Sequence, residues 1–312
     1  MDPSHAPSLA PLLRNDSLQL TDGRRLAWAE FGAPDGRPVL YCHGTPGSRL
    51  EARLAGAAAE RLGIRLIAAD RPGYGDSTPL NERTPLAVGK DLRQLCDHLG
   101  LEKVYLLGVS GGGPFACAAA GVLGPTVIAL GLVCPVGPLR GHSTGELPLF
   151  PWRGMSAWNR WPLPVRRAAL APLSALLRRL PQRFLRKLTR QLGESDRTTL
   201  ADPAIADQLA DSLRTALQAG SRGFLDDLTT FTSRWDMSLA AVRCPVLIWQ
   251  GLDDQLVPPC LAKRLLSEIA NCRLRLLPGE GHYSLPIRHA EALLGELIHH
   301  PAQAHQTCYT DS

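Results

Sequence analysis

A glycine-rich turn between two apolar runs constrains the fold of this chain more than any other feature. Residues 103–117 read KVYLLGVSGGGPFAC, and they begin with the β-branched and apolar side chains of a buried strand. Beyond Ser110 the chain continues through Pro114 into a run of small residues suited to a helix. The segment therefore predicts a strand that turns sharply into a helix, with Ser110 at the turn.

The turn has the G-x-S-x-G spacing, with Gly108 and Gly112 on either side of Ser110. A serine at such a turn is strained, and its neighbours two places away must lack side chains to clear it. Its hydroxyl would stand at a helix N-terminus, where backbone N–H groups favour developing negative charge. A phosphate loop is not supported, since neither Gly-Lys-Ser/Thr nor G-x-G-x-x-G is present. From these residues alone, Ser110 is either a nucleophile or part of a structural turn.

The composition is that of a globular protein. The length suits one large α/β domain with an insertion, or two small domains. The chain has 312 residues, of which 45% are hydrophobic and 20% charged, and a net charge of +5. No apolar run approaches 18 residues, which predicts no membrane span. Residues 1–16 lack the features of a signal peptide and are expected to form a loose arm. The eight cysteines include no C-x-x-C pair, which predicts reduced thiols and a cytoplasmic location without a zinc site.

Apolar strand-like runs alternate with helical segments at both ends of the chain. The predicted strands are residues 17–20, 25–31, 38–42, 64–69, 104–109, 127–134, 244–250 and 273–277. This alternation predicts an α/β fold with a mostly parallel central sheet flanked by helices. We expect an arm at 1–16, a core at 17–135 and 237–300, a helical lid at 136–236 and a flexible tail at 301–312.

The predicted lid is aromatic and basic. Residues 165–192 hold eight lysines and arginines and no acid, and leucines recur there at helical spacing. Pro172 and Pro181 are expected to divide this stretch into short helices. We interpret it as a lid with one face on the core and a solvated basic face, in preference to a surface that binds a membrane or an acidic partner. The aromatic residues expected to line an apolar pocket are Trp152, Trp158 and Trp161, together with Tyr283, which lies outside the lid.

Three further loops after strands carry residues that could serve Ser110. His282 follows a predicted strand between glycine and tyrosine, and a histidine there can reach over the sheet as a general base. A carboxylate after the strand at 244–250 could orient that imidazole, and Asp253 and Asp254 compete for the role. Residues 43–47, HGTPG, form a tight loop that can present a backbone N–H to an oxyanion together with Gly111. Pro46 has no N–H, so the loop donor is Gly44 or Thr45.

With these motifs in order, the chain resembles the α/β-hydrolase family. The resemblance covers roughly 17–135 and 244–298, and it includes the H-G-x-P-G loop, a DRPGYGDS loop at 70–77, the elbow around Ser110, a D-Q-L-V-P motif and Gly281-His282. It implies Ser110, Asp254 and His282 as the catalytic triad. It also implies that the N–H groups of Thr45 and Gly111 form the oxyanion hole.

The resemblance implies an acyl-enzyme mechanism on a small molecule, with no cofactor or metal and no nucleic-acid partner. Our leading interpretation is a carboxylic-ester hydrolase that accepts small to medium apolar esters under the lid. The alternatives are a carbon–carbon bond hydrolase, a perhydrolase, an aminopeptidase, or a receptor-like member without catalysis. Aspartate-nucleophile members are argued against by Ser110. Gly111 stands where proline iminopeptidases typically have tryptophan.

Overall fold

A central sheet organises the molecule, whose computed structural model describes residues 9–139, 160–299 and 307–310. Within these residues the sheet has nine strands in the order β1-β2-β4-β3-β5-β6-β7-β8-β9. The strands are β1 (Arg14–Gln19), β2 (Arg25–Gly32), β3 (Arg37–Cys42), β4 (Ile64–Ala69), β5 (Val104–Val109), β6 (Val127–Val133), β7 (Val246–Gly251), β8 (Cys272–Leu277) and β9 (Thr307–Thr310). Each strand predicted from the sequence overlaps an observed one, and the predicted fold class is confirmed.

The sheet is antiparallel at one end and parallel elsewhere. β1 pairs with β2, and β2 with β4, in antiparallel register, whereas β3 to β9 pair in parallel. The parallel strands are rich in valine, leucine and isoleucine because both of their faces are covered. β5 is buried along its whole length and lies centrally between β3 and β6. The loop after β5 is therefore placed at the middle of the sheet's carboxyl edge.

Helices cover both faces of the sheet. They are α1 (Gly56–Arg61), α2 (Pro85–His98), α3 (Gly113–Leu123), α4 (Leu163–Arg179), α5 (Pro181–Thr189), α6 (Glu194–Leu200), α7 (Pro203–Ala216), α8 (Arg222–Thr232), α9 (Pro259–Glu268), α10 (Ser284–Arg288) and α11 (Ala290–His299). Side chains of α2, α3 and α9 share one apolar core with the sheet, and those of α1 and α11 share the other. Leu106 belongs to the first core and Leu107 to the second, as strand alternation requires.

Helices α4 to α8 come between β6 and β7 and form a cap with an apolar cluster of its own. The prediction that Pro172 ends a helix is wrong, because α4 runs through it, whereas Pro181 does begin α5. Proline has no N–H, so one carbonyl group in the preceding turn of α4 lacks its usual helical hydrogen bond. Because Pro172 is exposed, water can solvate that carbonyl group. The basic side chains of α5, Arg183, Arg186 and Lys187, are also exposed.

The C-terminal segment contributes to the sheet. The prediction of a flexible tail is wrong for residues 307–310, which pair in parallel with β8 as the edge strand β9. None of the described helices combines the length and apolar character needed to cross a membrane.

Candidate active site

Ser110 stands at the strained turn between β5 and α3. Its φ angle is +53°, in the left-handed region that non-glycine residues rarely adopt. A Cβ on Gly108 would lie 2.7 Å from Cβ of Ala116, and one on Gly112 would collide with the carbonyl of Cys42. The glycines on either side of Ser110 are therefore required by packing, as the G-x-S-x-G spacing predicted.

Ser110, His282 and Asp254 are joined in one line of hydrogen bonds. Ser110 Oγ lies 3.0 Å from Nε2 of His282, and Nδ1 of the same ring lies 2.8 Å from Oδ2 of Asp254. Asp254 follows β7 and His282 follows β8, so three strand ends bring the residues together. With the proton on Nδ1 donated to Asp254, Nε2 is free to accept the hydroxyl proton of Ser110.

The two aspartates that could orient His282, Asp253 and Asp254, have different surroundings. Asp254 is buried, and its Oδ1 accepts the N–H groups of Leu256 and Val257 at 2.9 and 2.8 Å, which leaves Oδ2 for the imidazole. Asp253 is exposed, and its backbone N–H donates to the carbonyl of Glu280. Asp254 is therefore the aspartate that can orient His282.

The loop after β3 lies against the predicted nucleophile. A Cβ on Gly111 would overlap the side chain of Thr45, so the two residues predicted to supply oxyanion donors are neighbours. The N–H of Gly44, the other loop candidate, donates to Oε1 of Glu51 at 2.8 Å. Because that N–H is already engaged, Thr45 is the better placed of the two loop donors.

His43 anchors this loop and is not a second base. It is fully buried; its Nδ1 donates to the carbonyl of Gly44 at 2.9 Å, and its Nε2 accepts the N–H of Arg71 at 3.2 Å. Burial and the nearby guanidinium of Arg71 hold the pKa of His43 well below its usual range. The ring is therefore neutral, with both nitrogens engaged in holding the loop.

The electrostatic surroundings of His282 favour its charged form. Burial by itself would lower the pKa of this imidazole, but the nearby carboxylates of Asp254, Asp196 and Glu51 together outweigh that effect. The net result is a pKa raised above the usual value for histidine. Such surroundings stabilise the imidazolium that forms when His282 takes a proton.

A cap residue holds the segment that carries His282. Asp196, fully buried in α6, accepts the backbone N–H groups of His282, Tyr283 and Ser284 at 3.0, 2.8 and 2.8 Å. A Cβ on Gly281 would collide with this carboxylate, which explains the glycine before the histidine. The cap thus holds the backbone of the segment that carries the predicted base, His282.

A second buried carboxylate joins the cap to the oxyanion loop. Asp227 of α8 accepts hydrogen bonds from Tyr74 at 2.7 Å, from Arg71 at 2.7 Å, and from Arg83 and Thr45 Oγ1. Although burial opposes ionisation, the two guanidinium groups lower the pKa of Asp227 to about 2. The side chain of Thr45 is therefore tied to a permanently charged group in the cap.

An apolar cavity of about 250 Å³ opens above Ser110 between the cap and the sheet. Its walls include Leu107 and Val109 of β5, Phe184 and Leu188 of α5, and Leu294 of α11. Ser110, His282, Thr45 and Gly111 line its floor. The cavity is thus a place where an uncharged acyl or alkyl group can meet Ser110.

The aromatic residues expected in the pocket have different outcomes. Tyr283 lines the cavity. The prediction for Trp161 is wrong, since this side chain is half exposed and precedes α4, while α5 supplies Phe184 and Leu188 to the wall instead. Trp152 and Trp158 lie outside the described residues.

Sequence reasoning missed Glu51, Asp196 and Asp227, although all three carboxylates contact the site. Each sits on a helical segment among other polar residues, and no motif distinguishes it. Their partners come from distant parts of the chain, so only the fold reveals them.

Comparison with known proteins assigns the fold to one family. A family model described as the alpha/beta hydrolase fold matches residues 37–287, which is more than half of the chain. The chain is also 28% identical over 280 residues to an uncharacterized hydrolase, YcgS, of Bacillus subtilis, and this match covers 84% of this chain and 89% of that one.

A second relative has a stated substrate. It is 2-hydroxy-6-oxononadienedioate/2-hydroxy-6-oxononatrienedioate hydrolase 2 of Pseudomonas putida, 29% identical over 225 residues, which are 71% of this chain and 72% of the relative. Other relatives match over less of their length. The chain spans 31% of an acetyltransferase component of the Pseudomonas putida acetoin cleaving system and about a third of several proline iminopeptidases.

Among solved structures, a thermophilic esterase from Thermogutta terrifontis superposes with a TM-score of 0.64 at 25% identity. The superposition covers 91% of this chain and 98% of the esterase. The likeness therefore includes the cap as well as the sheet.

Proposed function

Because the chain belongs to the alpha/beta hydrolase fold family, we propose that it is a serine hydrolase that cleaves a carboxylic ester through an acyl-enzyme intermediate. The observation that carries the proposal is the hydrogen-bonded line from Ser110 through His282 to Asp254. A nucleophile, a base and a residue that orients the base are the elements that acyl transfer needs.

In the first half of the reaction, Ser110 Oγ attacks the ester carbonyl carbon as Nε2 of His282 takes the hydroxyl proton. The oxygen of the tetrahedral intermediate receives hydrogen bonds from the N–H groups of Thr45 and Gly111. The buried carboxylate of Asp254 stabilises the imidazolium. When the intermediate collapses, the carbon–oxygen bond breaks and the imidazolium protonates the leaving alcohol, which leaves the acyl group on Ser110.

In the second half, water takes the place of the alcohol. His282 removes a proton from the water as its oxygen attacks the acyl carbon, and the same two N–H groups hold the oxyanion again. Collapse returns the proton to Oγ of Ser110 and releases a carboxylic acid. The raised pKa of His282 suits this cycle, because a more basic imidazole accepts the proton of Ser110 more readily.

The cavity supports an ester of small to medium size. Its walls are mostly apolar, which favours acyl and alkyl chains over dicarboxylates or peptides. The likeness to an esterase along the length of both chains agrees with this choice.

Carbon–carbon bond hydrolysis is the second candidate, and the Pseudomonas putida relative is the observation that favours it. That relative is named for substrates with two carboxylate groups. Among the described residues that line the cavity no arginine or lysine is present to receive such groups. The ester hydrolase is therefore the stronger proposal.

A panel of nitrophenyl esters of rising chain length, assayed beside a nitroanilide and a ring-opened dienone, tests the proposal. We expect short-to-medium esters to be cleaved fastest. We expect Ser110→Ala to abolish turnover, because no other group can form the acyl bond, while its circular dichroism and melting temperature stay close to those of the wild type. Cleavage of the dienone alone would assign the second candidate, and retained ester turnover in Ser110→Ala would overturn the mechanism.

A further inference from the structure

One wall of the cavity carries a carboxylate that the proposed mechanism does not use. Glu51 lies in a 3-10 segment, Arg49–Ala55, and it is the one carboxylate among the described cavity-lining residues. Most of its neighbours in the lining are leucines and other apolar residues. A carboxyl group in such surroundings needs hydrogen-bond donors to offset the water it has lost.

The described residues donate hydrogen bonds to only one of the two oxygens of Glu51. Oε1 accepts the N–H of Gly44 at 2.8 Å and the hydroxyl of Tyr41 at 2.9 Å. Oε2 receives no hydrogen bond from any described residue, and no described arginine or lysine forms an ion pair with Glu51. The protein thus fixes the carboxyl group through Oε1 and leaves Oε2 available in a cavity wall.

The available oxygen is close to the predicted nucleophile. A Cβ placed on Gly44 would lie 3.2 Å from Oε2 of Glu51 and 3.6 Å from Cβ of Ser110, so the two side chains flank the same small residue. An acyl group bound at Ser110 would therefore bring its first carbon atoms next to this carboxyl group. Burial raises the pKa of Glu51, which indicates that the hydrogen bonds from Gly44 and Tyr41 offset the cost of burying its charge only in part.

From this arrangement we propose that Glu51 selects esters that carry a hydrogen-bond donor, a hydroxyl or an ammonium group, one or two carbons from the scissile carbonyl. The donor would bind Oε2, while Oε1 keeps its bonds to Gly44 and Tyr41. A site built around a buried acceptor disfavours an analogue without the donor, because that analogue leaves the acceptor unpaired. This inference rests on the proposed function, since it places the acyl group on Ser110.

The test compares ethyl butyrate, ethyl 3-hydroxybutyrate and ethyl 3-aminobutyrate as substrates of the wild type and of Glu51→Gln. Glutamine is close to glutamate in shape and can still accept from Gly44 and Tyr41 through its carbonyl, but it presents an NH₂ group in place of Oε2. We expect the wild type to prefer at least one substituted ester over the plain one in kcat/KM by about tenfold or more, as charge-assisted hydrogen bonds are strong. Glu51→Gln is expected to lose most of that preference, whereas Glu60→Gln, an exposed carboxylate of α1, keeps it.

The ratio between esters separates recognition from a merely structural role. If Glu51 only held the loop, Glu51→Gln would slow all three esters alike and leave the ratios unchanged, and that result would overturn the inference, as would a wild type without preference. A preference for the amino ester alone assigns an ammonium donor, and a preference for both substituted esters assigns a general donor site.

A binding measurement keeps the two proposals distinguishable. Ser110→Ala binds the three esters without turnover, and calorimetry on this variant, alone and combined with Glu51→Gln, gives their Kd values. If the wild type cleaves no ester but Ser110→Ala binds the substituted esters more tightly through Glu51, the proposed function fails and the inference stands. Equal Kd values for all three esters would overturn the inference alone.

Discussion

The carboxylate that orients a catalytic histidine must be buried, charged and correctly aimed at once. Asp254 meets these conditions because two backbone N–H groups hold Oδ1, which turns Oδ2 toward the ring of His282. Asp253, its neighbour in sequence, is exposed, and the ring of His282 pairs with Asp254 instead. The pair therefore offers an internal control, with two identical side chains one residue apart in different surroundings.

Asp254→Asn is expected to lower kcat roughly 10⁴-fold, as the loss of the orienting carboxylate does in the serine hydrolase template. The amide can donate to Nδ1 of His282 and so favour the tautomer that cannot accept the proton of Ser110. Asp253→Asn is expected to change kcat by about twofold or less, as exposed substitutions usually do. Steady-state kinetics on a nitrophenyl ester checks both. A large loss in Asp253→Asn with a small one in Asp254→Asn would reassign the orienting residue.

The short helix α6 does not line the cavity, but it holds the segment that carries His282. Its Asp196 accepts three consecutive backbone N–H groups that begin at His282, so the cap fixes the start of α10 and the path of the chain that carries the base. The carboxylate of Asp196 also places a negative charge near the imidazole of His282. Asp196 is in this view a positioning residue, which acts through His282 without touching the substrate.

Asp196→Asn is expected to reduce kcat roughly 10- to 100-fold, since small displacements of a catalytic group have effects of that size. It is also expected to move the acidic limb of the kcat/KM profile to lower pH. The carboxylate of Asp196 helps to raise the pKa of His282, and the neutral imidazole is the active base, so removing the charge extends activity downward in pH.

Rate profiles between pH 5 and 9 measure both effects, with Glu194→Gln as the control because Glu194 is an exposed carboxylate of the same helix. A lower melting temperature with an unshifted pH profile would assign Asp196 to the stability of the fold alone.

The cap and the sheet build the candidate site together. The cap contributes Asp196 to the loop of the proposed base, His282, and Asp227 to the loop of the proposed oxyanion donor, Thr45, while its α5 closes the cavity. Asp227 remains charged because Arg71 and Arg83 surround it, and removing one partner from such a buried group is strongly destabilising. The insertion therefore helps to build the site as well as to shape the substrate pocket.

The sequence predicted the sheet and the triad because both depend on local patterns. Ser110, Asp254 and His282 each follow a strand that the sequence pattern reveals, and parallel strands bring such ends to one edge. The path of α4 through Pro172 and the exposed position of Trp161 depend on which side of the cap faces water, which leucine spacing alone does not determine. The roles of Glu51, Asp196 and Asp227 depend on contacts with residues from distant parts of the chain. No local sequence pattern therefore identifies them.

The most direct test of the central claim is to label the folded protein with a fluorophosphonate and to map the adduct by mass spectrometry. If Ser110 is an activated nucleophile, one adduct forms, the modified peptide contains Ser110, and Ser110→Ala takes up no label. A folded wild-type protein that remains unlabelled, or one that carries its label on another residue, would contradict the account.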